Sequence, residues 1–254
     1  MIANLSVRLK ILCLSTLFIL VISCHTMSET LELSTLEWPP FTGTALIDAG
    51  ITSKIVAQAL RYEGHELNTT VLPWNRAVRM VKIGQIIGYF PEYLTTSNDF
   101  LFSKSLGMSS IGLLEHKTKP IIWNTVSDLN QYALGVVDGY VNTAEIDEMI
   151  LNGSQTSETA KDDKQNILKL AVGRIDTIVI DVNVYEFLKS DPQIAKVAPL
   201  LQINQKILAH KSLHVALIND QQGLKWLEII NRGLLKFDVQ AAMDASLQEI
   251  RQNK

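Results

Sequence analysis

The stretch "LPWNRAVRMVKIGQIIGYFPEYLTT", residues 72–96, combines the two local patterns from which the fold class follows. Its first part predicts a short helix, because Pro73 is favoured at the start of a helix and Gly84 at its end. The segment "QIIGYF", residues 85–90, is a continuous apolar run typical of a strand that is buried on both faces. A helix that leads directly into such a strand indicates an α/β protein with a parallel sheet.

Strand and helix signals alternate along the rest of the chain as well. Residues 29–36 and 65–72 alternate apolar and polar side chains as half-buried strands do, and residues 45–64 carry an apolar helical stripe. A second alternating block covers residues 132–190, within which the polar residues 152–163 are expected to be the least ordered. The sequence therefore predicts an α/β fold with mostly parallel sheets.

Residues 1–23 have the features of a secretory signal peptide. Arg8 and Lys10 precede the apolar run "ILCLSTLFILVIS", residues 11–23, and the segment contains no acidic residue. The run is too short to span a bilayer comfortably. Cys24 follows a small residue, as in a bacterial lipobox, and is therefore a candidate for lipidation; ordinary cleavage a few residues later is the alternative. We expect an exported protein of the periplasm, held at the membrane only if Cys24 is acylated.

The charge and the cysteine positions exclude several classes of function. Two of the 23 basic residues lie in the signal peptide, so the mature chain keeps 21 against 26 acidic residues, a net charge of −5. This balance argues against a nucleic-acid partner, which requires a basic face. Cys13 and Cys24 both belong to the targeting segment, so the mature domain is expected to have neither a disulfide nor a thiol nucleophile.

The sequence carries no recognisable motif of catalysis or of cofactor binding. It lacks G-x-S-x-G, H-E-x-x-H and the P-loop. His210 and His214 have the spacing of a helical metal pair, but they fall in a predicted strand, where that spacing does not converge on one ion. The pair Asp162–Asp163 is interpreted as a solvated helix face. We therefore predict no metal, no cofactor and no enzyme.

Five aromatic or polar turns follow the carboxyl ends of predicted strands, where ligands bind in α/β sheets. They are "EWPPFTG" (37–43), "PWNRA" (73–77), "PEYLTT" (91–96), "DGYVNT" (138–143) and "IDVNVY" (180–185). We expect these turns to come together and to line a cleft.

Several side chains in these turns are candidates for ligand contact. We expect the Phe41 ring to face the ligand, because Phe41 lies farther past its strand than Trp38 does. For the Trp38 ring, contact with the ligand and covering of the sheet edge are equally expected. Trp74 is interpreted first as an anchor in the core. Arg76 stands in the first turn of a helix, where a cation is electrostatically unfavourable, and this favours a specific partner. Asp181 ends a buried strand, where a carboxylate needs either a ligand amine or a protein donor.

The order of five motifs resembles a known family. The motifs "EWPPFTG", "LPWNRAVRMVKIGQIIGYFPEYLTT", "FLFSKSL", "ALGVVDGY" and "GRIDTIVIDVNVYEFL" are similar in order and spacing to those of the bacterial extracellular solute-binding proteins of family 3. That family is a periplasmic-binding-protein group that serves polar amino acid uptake. The resemblance covers about residues 29–250. It implies a type II periplasmic-binding-protein-like fold, in which a hinge of two crossover segments joins two α/β lobes and the ligand binds between them.

The resemblance also implies the limits of the lobes. The first lobe would comprise residues 29–114 plus 212–254, and the second lobe residues 115–211. The crossovers would fall near "LLEHK", residues 113–117, and "LAHKS", residues 208–212. Turns from both lobes would then contact one ligand.

One feature of the family's ligand site is absent and another is present. Members of the family bind the ligand's α-carboxylate with an Arg after the third strand, and Thr96 stands at that position here. A Thr does not form the bidentate ion pair that Arg makes with a carboxylate. Asp181 matches the family's amino-group-binding Asp. The pattern argues against an α-amino acid as ligand and leaves an amine-bearing or a polyhydroxyl ligand open. In place of the missing Arg, positive potential could come from Arg76 or from the free amides of the helix start at Asn142–Thr143.

These observations together predict a solute-binding protein that captures a small polar ligand, amino-acid-like or an amine, and presents it to an ABC permease. One alternative is a sensor that reports its ligand to a signalling receptor. A dehydratase-like enzyme on the same scaffold is less favoured, because the sequence shows no second ionisable group beside Asp181. The expected ligand-binding residues are Trp38, Phe41, Trp74, Arg76, Tyr93, Thr95, Tyr140, Thr143 and Asp181.

Overall fold

The computed structural model describes residues 28–252, so the predicted signal peptide and Cys24 lie outside the described part. The strands of this part are β1 (Thr30–Thr35), β2 (Glu66–Val71), β3 (Gly88–Tyr93), β4 (Phe100–Phe102), β5 (Met108–His116), β6 (Leu134–Val137), β7 (Ser157–Ala160), β8 (Thr177–Asp181), β9 (Leu201–Ile203) and β10 (Ala209–Ile218). The helices are α1 (Ile51–Tyr62), α2 (Trp74–Lys82), α3 (Ala144–Leu151), α4 (Asp163–Ala171), α5 (Val182–Leu188), α6 (Ile194–Val197), α7 (Gln221–Leu234) and α8 (Val239–Gln252). Within residues 28–252, no helix combines the length and the apolar character needed to cross a membrane.

The strands form one continuous path with the order β2-β1-β3-β10-β5-β8-β6-β7, with β4 beside β10 and β9 beside β5. The long strand β10 lies in the middle of this path and pairs with strands on both sides of it. Its first residues, up to Ser212, pair with β5, and its later residues, from Leu213, pair with β3 and β4. We call β1–β4 with the later part of β10 the first half, and β5–β9 with the earlier part of β10 the second half.

The pairings confirm the predicted α/β class. The strands β1–β2, β1–β3, β6–β7 and β6–β8 are parallel, as alternating strands and helices require. The strands β5 and β10 run antiparallel to their neighbours, and they carry the chain between the halves. The carboxyl ends of the parallel strands therefore point into the region where the halves meet.

The structure places one of the two predicted crossovers at the junction of the halves and the other inside the second half. Residues 208–212 coincide with the start of β10, which bridges the halves. Residues 113–117 lie instead at the end of β5, where Leu113 pairs with Val179 in the interior of the second half. The chain leaves the first half earlier, between β4 and β5. The predicted limits of the two lobes, residues 29–114 plus 212–254 and residues 115–211, remain a prediction.

The helix α1 packs its predicted apolar stripe against the first half and against α7. Ile55 and Val56 are buried on this face, and each such side chain contributes on the order of 1.5–3 kcal/mol when fully buried. The two helices touch through their backbones at Gly233, where an added Cβ would lie 2.0 Å from the carbonyl oxygen of Ala59. Gly233 is therefore required by the close approach of the helices.

The polar residues 152–163 are ordered, contrary to the sequence prediction. Ser157–Ala160 form the edge strand β7, which pairs in parallel with β6, and the Asp162 side chain caps α4 by accepting from the amide of Gln165 at 2.7 Å. An edge strand needs few apolar side chains, since one of its sides faces solvent, and this is why the pattern gave no strand signal.

Candidate functional site

One small cleft lies between the two halves. The first half supplies residues of the turns after β1 and β2, of β3 itself and of β10, and the second half supplies residues of the turn after β6. In this conformation the cleft leaves only about 20 Å³ of free space, enough for about one water molecule; the figure is about 290 Å³ when the gaps between atoms and the open solvent at its mouth are included. Its lining residues are Leu36, Trp38, Trp74, Pro91, Glu92, Tyr93, Tyr140, Val141 and Leu213. Four of the five turns expected to line a cleft thus contribute to it, whereas no residue of the fifth, residues 180–185, is among its lining residues.

Four aromatic rings form the walls of the cleft. The Tyr140 ring, from the second half, meets Trp38 and Trp74 of the first half edge-on, with centroids 6.4 and 6.1 Å apart. Tyr93 meets Trp38 at 6.0 Å, again edge to face. The indole of Trp74 also donates to the carbonyl oxygen of Gly139 at 3.0 Å, so Trp74 joins the halves as well as packing in the core. Edge-to-face pairs of this kind are favourable contacts.

Phe41 does not face the cleft, and the expectation that it would do so in preference to Trp38 is wrong. Its side chain is fully buried in the core, with its ring 4.8 Å from that of Trp38. The reason is the tight turn between Trp38 and Thr42, which are joined by paired backbone hydrogen bonds. The turn directs Phe41 back toward α1, where its carbonyl oxygen accepts from Thr52, and it leaves the Trp38 ring in the cleft wall.

Asp181 lies buried behind Tyr93 of the cleft wall and is held by neutral donors. One carboxylate oxygen accepts from the amides of Asn183 and Val184 at the start of α5, at 2.9 and 3.3 Å. The other accepts from the hydroxyl of Tyr93 at 3.0 Å, and Ser109 donates a further hydrogen bond. Burial raises the pKa of the Asp181 carboxyl to about 6, against the effect of these donors. The Tyr93 hydroxyl thus occupies the place that the resemblance assigns to a ligand amine.

Asp163 is a second buried carboxylate at the cleft, and its interpretation as part of a solvated helix face is wrong. It begins α4 directly after the turn that follows β7, and the indole of Trp38 donates to it. Burial raises the pKa of its carboxyl to about 7, and the charges of Asp181 and Asp162 add to this rise. Asp181 therefore has an ionisable neighbour, which removes the sequence argument against an enzyme.

Glu92 is a third buried carboxylate, supplied by β3 of the first half. It accepts from the amide of Tyr93 at 2.8 Å and bonds the hydroxyl of Tyr89. Burial raises the pKa of its carboxyl to about 7, while the charge of Lys211 opposes the rise. The Lys211 ammonium lies 4.9 Å from the centre of the Tyr93 ring and donates to the carbonyl oxygen of Asn142 at 2.6 Å.

The remaining predicted site residues lie outside the cleft wall. Arg76 and Thr95 are exposed, and so is Thr96, which stands where the family has its carboxylate-binding Arg. Thr143 caps α3 by accepting from the amide of Ile146 at 3.3 Å. Arg76 therefore does not replace the missing cation within the cleft.

Contacts across the cleft mouth hold the halves together. The side-chain amide of Asn75 in α2 donates to a carboxylate oxygen of Asp138 after β6 at 2.7 Å. With the bonds from Trp38, Trp74 and Tyr93, four side chains of the first half donate to the second half. The described conformation is therefore a closed one.

The two histidines have separate partners. His210 contacts the hydroxyl of Ser110 at 2.9 Å, whereas His214 bonds the carbonyl oxygen of Ser103 at 2.6 Å and the hydroxyl of Ser212 at 2.7 Å. Both lie in β10, as the prediction of a strand required. Between residues 28 and 252, no three or more His, Cys, Asp or Glu side chains are arranged to hold a metal ion.

Solved structures with a similar fold include a substrate-binding protein, a sensor domain and a ligand-binding core. An amino acid ABC transporter substrate-binding protein, AbpA from Streptococcus pneumoniae, bound to L-arginine, superposes with a TM-score of 0.70 over 88% of this chain and 94% of its own, at 17% identity. A histidine kinase sensor domain with similarity to periplasmic binding proteins gives a TM-score of 0.71 over 88% of this chain and 95% of its own, at 12% identity. The GluR0 ligand-binding core from Nostoc punctiforme, in complex with L-glutamate, gives 0.67 over 88% and 97%, at 15% identity.

The sequence itself gives no comparable match. No protein-family model matches it, and no curated protein matches it either. The chain is thus similar to known proteins in its fold, and the superposition covers nearly the full length of each of the three solved structures. The chain has the two-lobed type II periplasmic-binding-protein fold, and at the level of the fold this confirms its resemblance to the solute-binding proteins of amino acid transporters.

Proposed function

We propose that the chain is a divergent, exported member of the extracellular solute-binding proteins of family 3, and that it captures a small amine-bearing ligand between its lobes. The observation that carries this proposal is the hydrogen bond between Asp181 and Tyr93, one of the aromatic rings that wall a cleft between the halves. A carboxylate close to a ring-walled cleft is what a small ligand with an ammonium group requires.

Ligand capture would work through closure of the two halves. Trp38, Trp74 and Tyr93 come from the first half, and Tyr140 and Asp181 from the second, so a ligand in the cleft contacts both. A ligand that binds the closed form more tightly than the open form shifts the equilibrium toward closure. A membrane partner then distinguishes the liganded protein by its shape.

Transport is the first candidate for the process that uses this closure. The streptococcal neighbour is a substrate-binding protein of an amino acid ABC transporter, and this supports an ABC permease as the partner. Sensing is the second candidate, supported by the equal similarity to a histidine kinase sensor domain. Crosslinking of the liganded protein in its native membrane, followed by identification of the captured partner, separates a permease from a receptor.

A binding screen tests the proposed function. The mature protein is melted in the presence of amino acids, amines, sugars and short peptides, and a ligand at about 100 times its Kd should stabilise it by about 2.7 kcal/mol. Asp181→Asn should abolish the effect of an amine-bearing ligand, while Asp244→Asn, an exposed acid on α8, should leave it unchanged. Absence of any stabilising compound, or an unchanged response of Asp181→Asn, contradicts the proposal. Recovery of a converted product instead of the added ligand indicates an enzyme.

A further inference from the structure

We propose that the ligand is a small organic cation without a carboxylate, such as an aliphatic diamine, bound between Glu92 of the first half and Asp163 and Asp181 of the second. This inference rests on the proposed function and names the chemical class of its ligand. It depends on the balance of charge in the cleft, on the rings that surround it and on its size.

The cleft contains more negative than positive charge. Glu92, Asp163 and Asp181 are 7%, 6% and 4% exposed. The donors to Asp163 and Asp181 include the Trp38 indole, hydroxyl groups and main-chain amides, every one of which is neutral. Buried carboxylates without a cation are costly, and an ammonium group from the ligand would lower that cost.

Lys211, the cation beside Glu92, is not placed to bind a ligand carboxylate. Its ammonium group already donates to the carbonyl oxygen of Asn142 and lies over the Tyr93 ring. Burial lowers its pKa, whereas the charges of Asp147 and Glu92 favour its protonated form. A ligand carboxylate in the cleft would therefore meet Glu92 in the wall, with Asp163 and Asp181 directly behind Trp38 and Tyr93, and no basic side chain among the residues that line it.

The walls and the dimensions of the cleft favour a slender cation. Ammonium groups are attracted to the faces of Trp and Tyr rings, and Trp38, Trp74, Tyr93 and Tyr140 surround the space. In this closed form the free space between the rings is only about 20 Å³, so a ligand must enter while the halves are apart, and a slender cation requires the least separation. Asp163 is held by Trp38 and Asp181 by Tyr93, and these two rings are 6.0 Å apart. A second ammonium group can then face Glu92 on the first half.

Matched ligand pairs test the absence of a carboxylate directly. Putrescine and ornithine, cadaverine and lysine, and agmatine and arginine differ only by the α-carboxylate. Isothermal titration calorimetry of the mature protein should show that the amine of at least one pair binds, at least tenfold more tightly than its amino acid. If the amino acid of a pair binds as tightly or more tightly, and Asp181→Asn abolishes that binding, the inference is overturned while the proposed function stands. If neither these pairs nor the wider screen contain a ligand, both fail.

Neighbouring acids provide matched variants. Asp163→Asn should weaken diamine binding at least tenfold, and Glu92→Gln should weaken it as well. Asp162→Asn is the control, because Asp162 is the adjacent acid and Asn caps a helix as well as Asp does; its effect should stay within threefold. Equal effects of Asp162→Asn and Asp163→Asn overturn the assignment.

A measurement on the unaltered protein needs no variant: at pH 6.5, diamine binding should release protons, so that the observed enthalpy changes with the ionisation enthalpy of the buffer. Binding without proton release overturns the role of these carboxyls.

Discussion

The indole of Trp38 donates a hydrogen bond to the buried carboxylate of Asp163. Trp38 follows β1 in the first half and Asp163 begins α4 in the second, so this bond crosses the cleft. It joins a residue of the aromatic turn 37–43 to an acid of the polar stretch 152–163. The stability of the closed form should therefore depend on the indole N–H as well as on the ring.

Trp38→Phe should destabilise the unliganded protein, because it keeps an aromatic ring but leaves the Asp163 carboxylate without its indole donor. We expect a loss of about 1–3 kcal/mol in the free energy of unfolding at pH 8, where Asp163 is charged. Urea denaturation measures this loss. Trp226→Phe, a buried Trp in α7, is the control for loss of ring size alone. A loss no greater than that of the control contradicts the role of the hydrogen bond.

The three cleft carboxyls should make the unliganded protein less stable as the pH rises from about 5 to about 7.5. Their pKa values are about 7 for Glu92 and Asp163 and about 6 for Asp181, above the ordinary 4.5 for Glu and 3.8 for Asp. The folded protein therefore holds protons in this range that the unfolded chain has released, and stability falls as those protons leave. Burial lowers the pKa of His214, which has the opposite effect below its ordinary value of 6.5.

A comparison with Asp163→Asn isolates this effect from that of His214. The variant lacks one of the three groups, so its melting temperature relative to the unaltered protein should rise from pH 5 toward pH 7.5. Differential scanning calorimetry at several pH values measures the difference. A difference that is constant across this range would show that Asp163 keeps an ordinary pKa.

Tyr93→Phe should tighten the binding of an amine while it weakens the unliganded closed form. The Tyr93 hydroxyl occupies one oxygen of Asp181 in the structure, and a ligand ammonium competes for that oxygen. Without the hydroxyl, the ligand supplies the missing donor, and its dissociation constant should fall. Calorimetry with the best amine from the screen measures this, with the exposed Tyr62→Phe as the control. Weaker amine binding by Tyr93→Phe would show that the hydroxyl contacts the ligand itself.

Asn75→Asp should open the cleft, because it places a second carboxylate next to Asp138, where a hydrogen bond of 2.7 Å now stands. Like charges at this distance repel each other, and the repulsion is relieved when the halves separate. Small-angle X-ray scattering should report a larger radius of gyration for the unliganded variant. The double variant Asn75→Asp with Asp138→Asn restores an acceptor and a donor and should return to the original radius. If the double variant keeps the larger radius of gyration, the increase is caused by local disruption of α2 and not by charge repulsion.

The fold could be predicted from the sequence because its signals are local. The helix from Trp74 to Lys82 and the strand that follows it are each specified by their own apolar pattern and by residues at their ends. Strand β7 could not be predicted, because an edge strand on a polar surface has no apolar period. The position of the first crossover depends on which strands pair, and pairing between distant segments is not encoded in local periodicity.

The candidate site was predictable in part. Asp181 was found because it ends a fully buried strand, where a carboxylate requires a partner. Glu92 was missed because β3 continues through "PEY", which the sequence pattern assigns to a turn. Asp163 was missed because it stands beside Asp162 in a run of polar residues, a pattern typical of a solvated helix face. Trp38 lines the cleft in place of Phe41 because of the five-residue turn from Trp38 to Thr42, whose direction sequence spacing alone does not give.

The strand β10 changes partners between Ser212 and Leu213, and each of its ends is fixed within a different sheet half. A strand clamped at both ends resists being stretched or displaced sideways, but it twists readily at the point where the two ladders meet. Domain motion in this molecule would then be a swivel about that point, and the distance between the two clamped ladders would hardly change. A membrane protein that docks against both lobes would consequently detect a change of angle, and this is a signal that a permease and a receptor can read equally well.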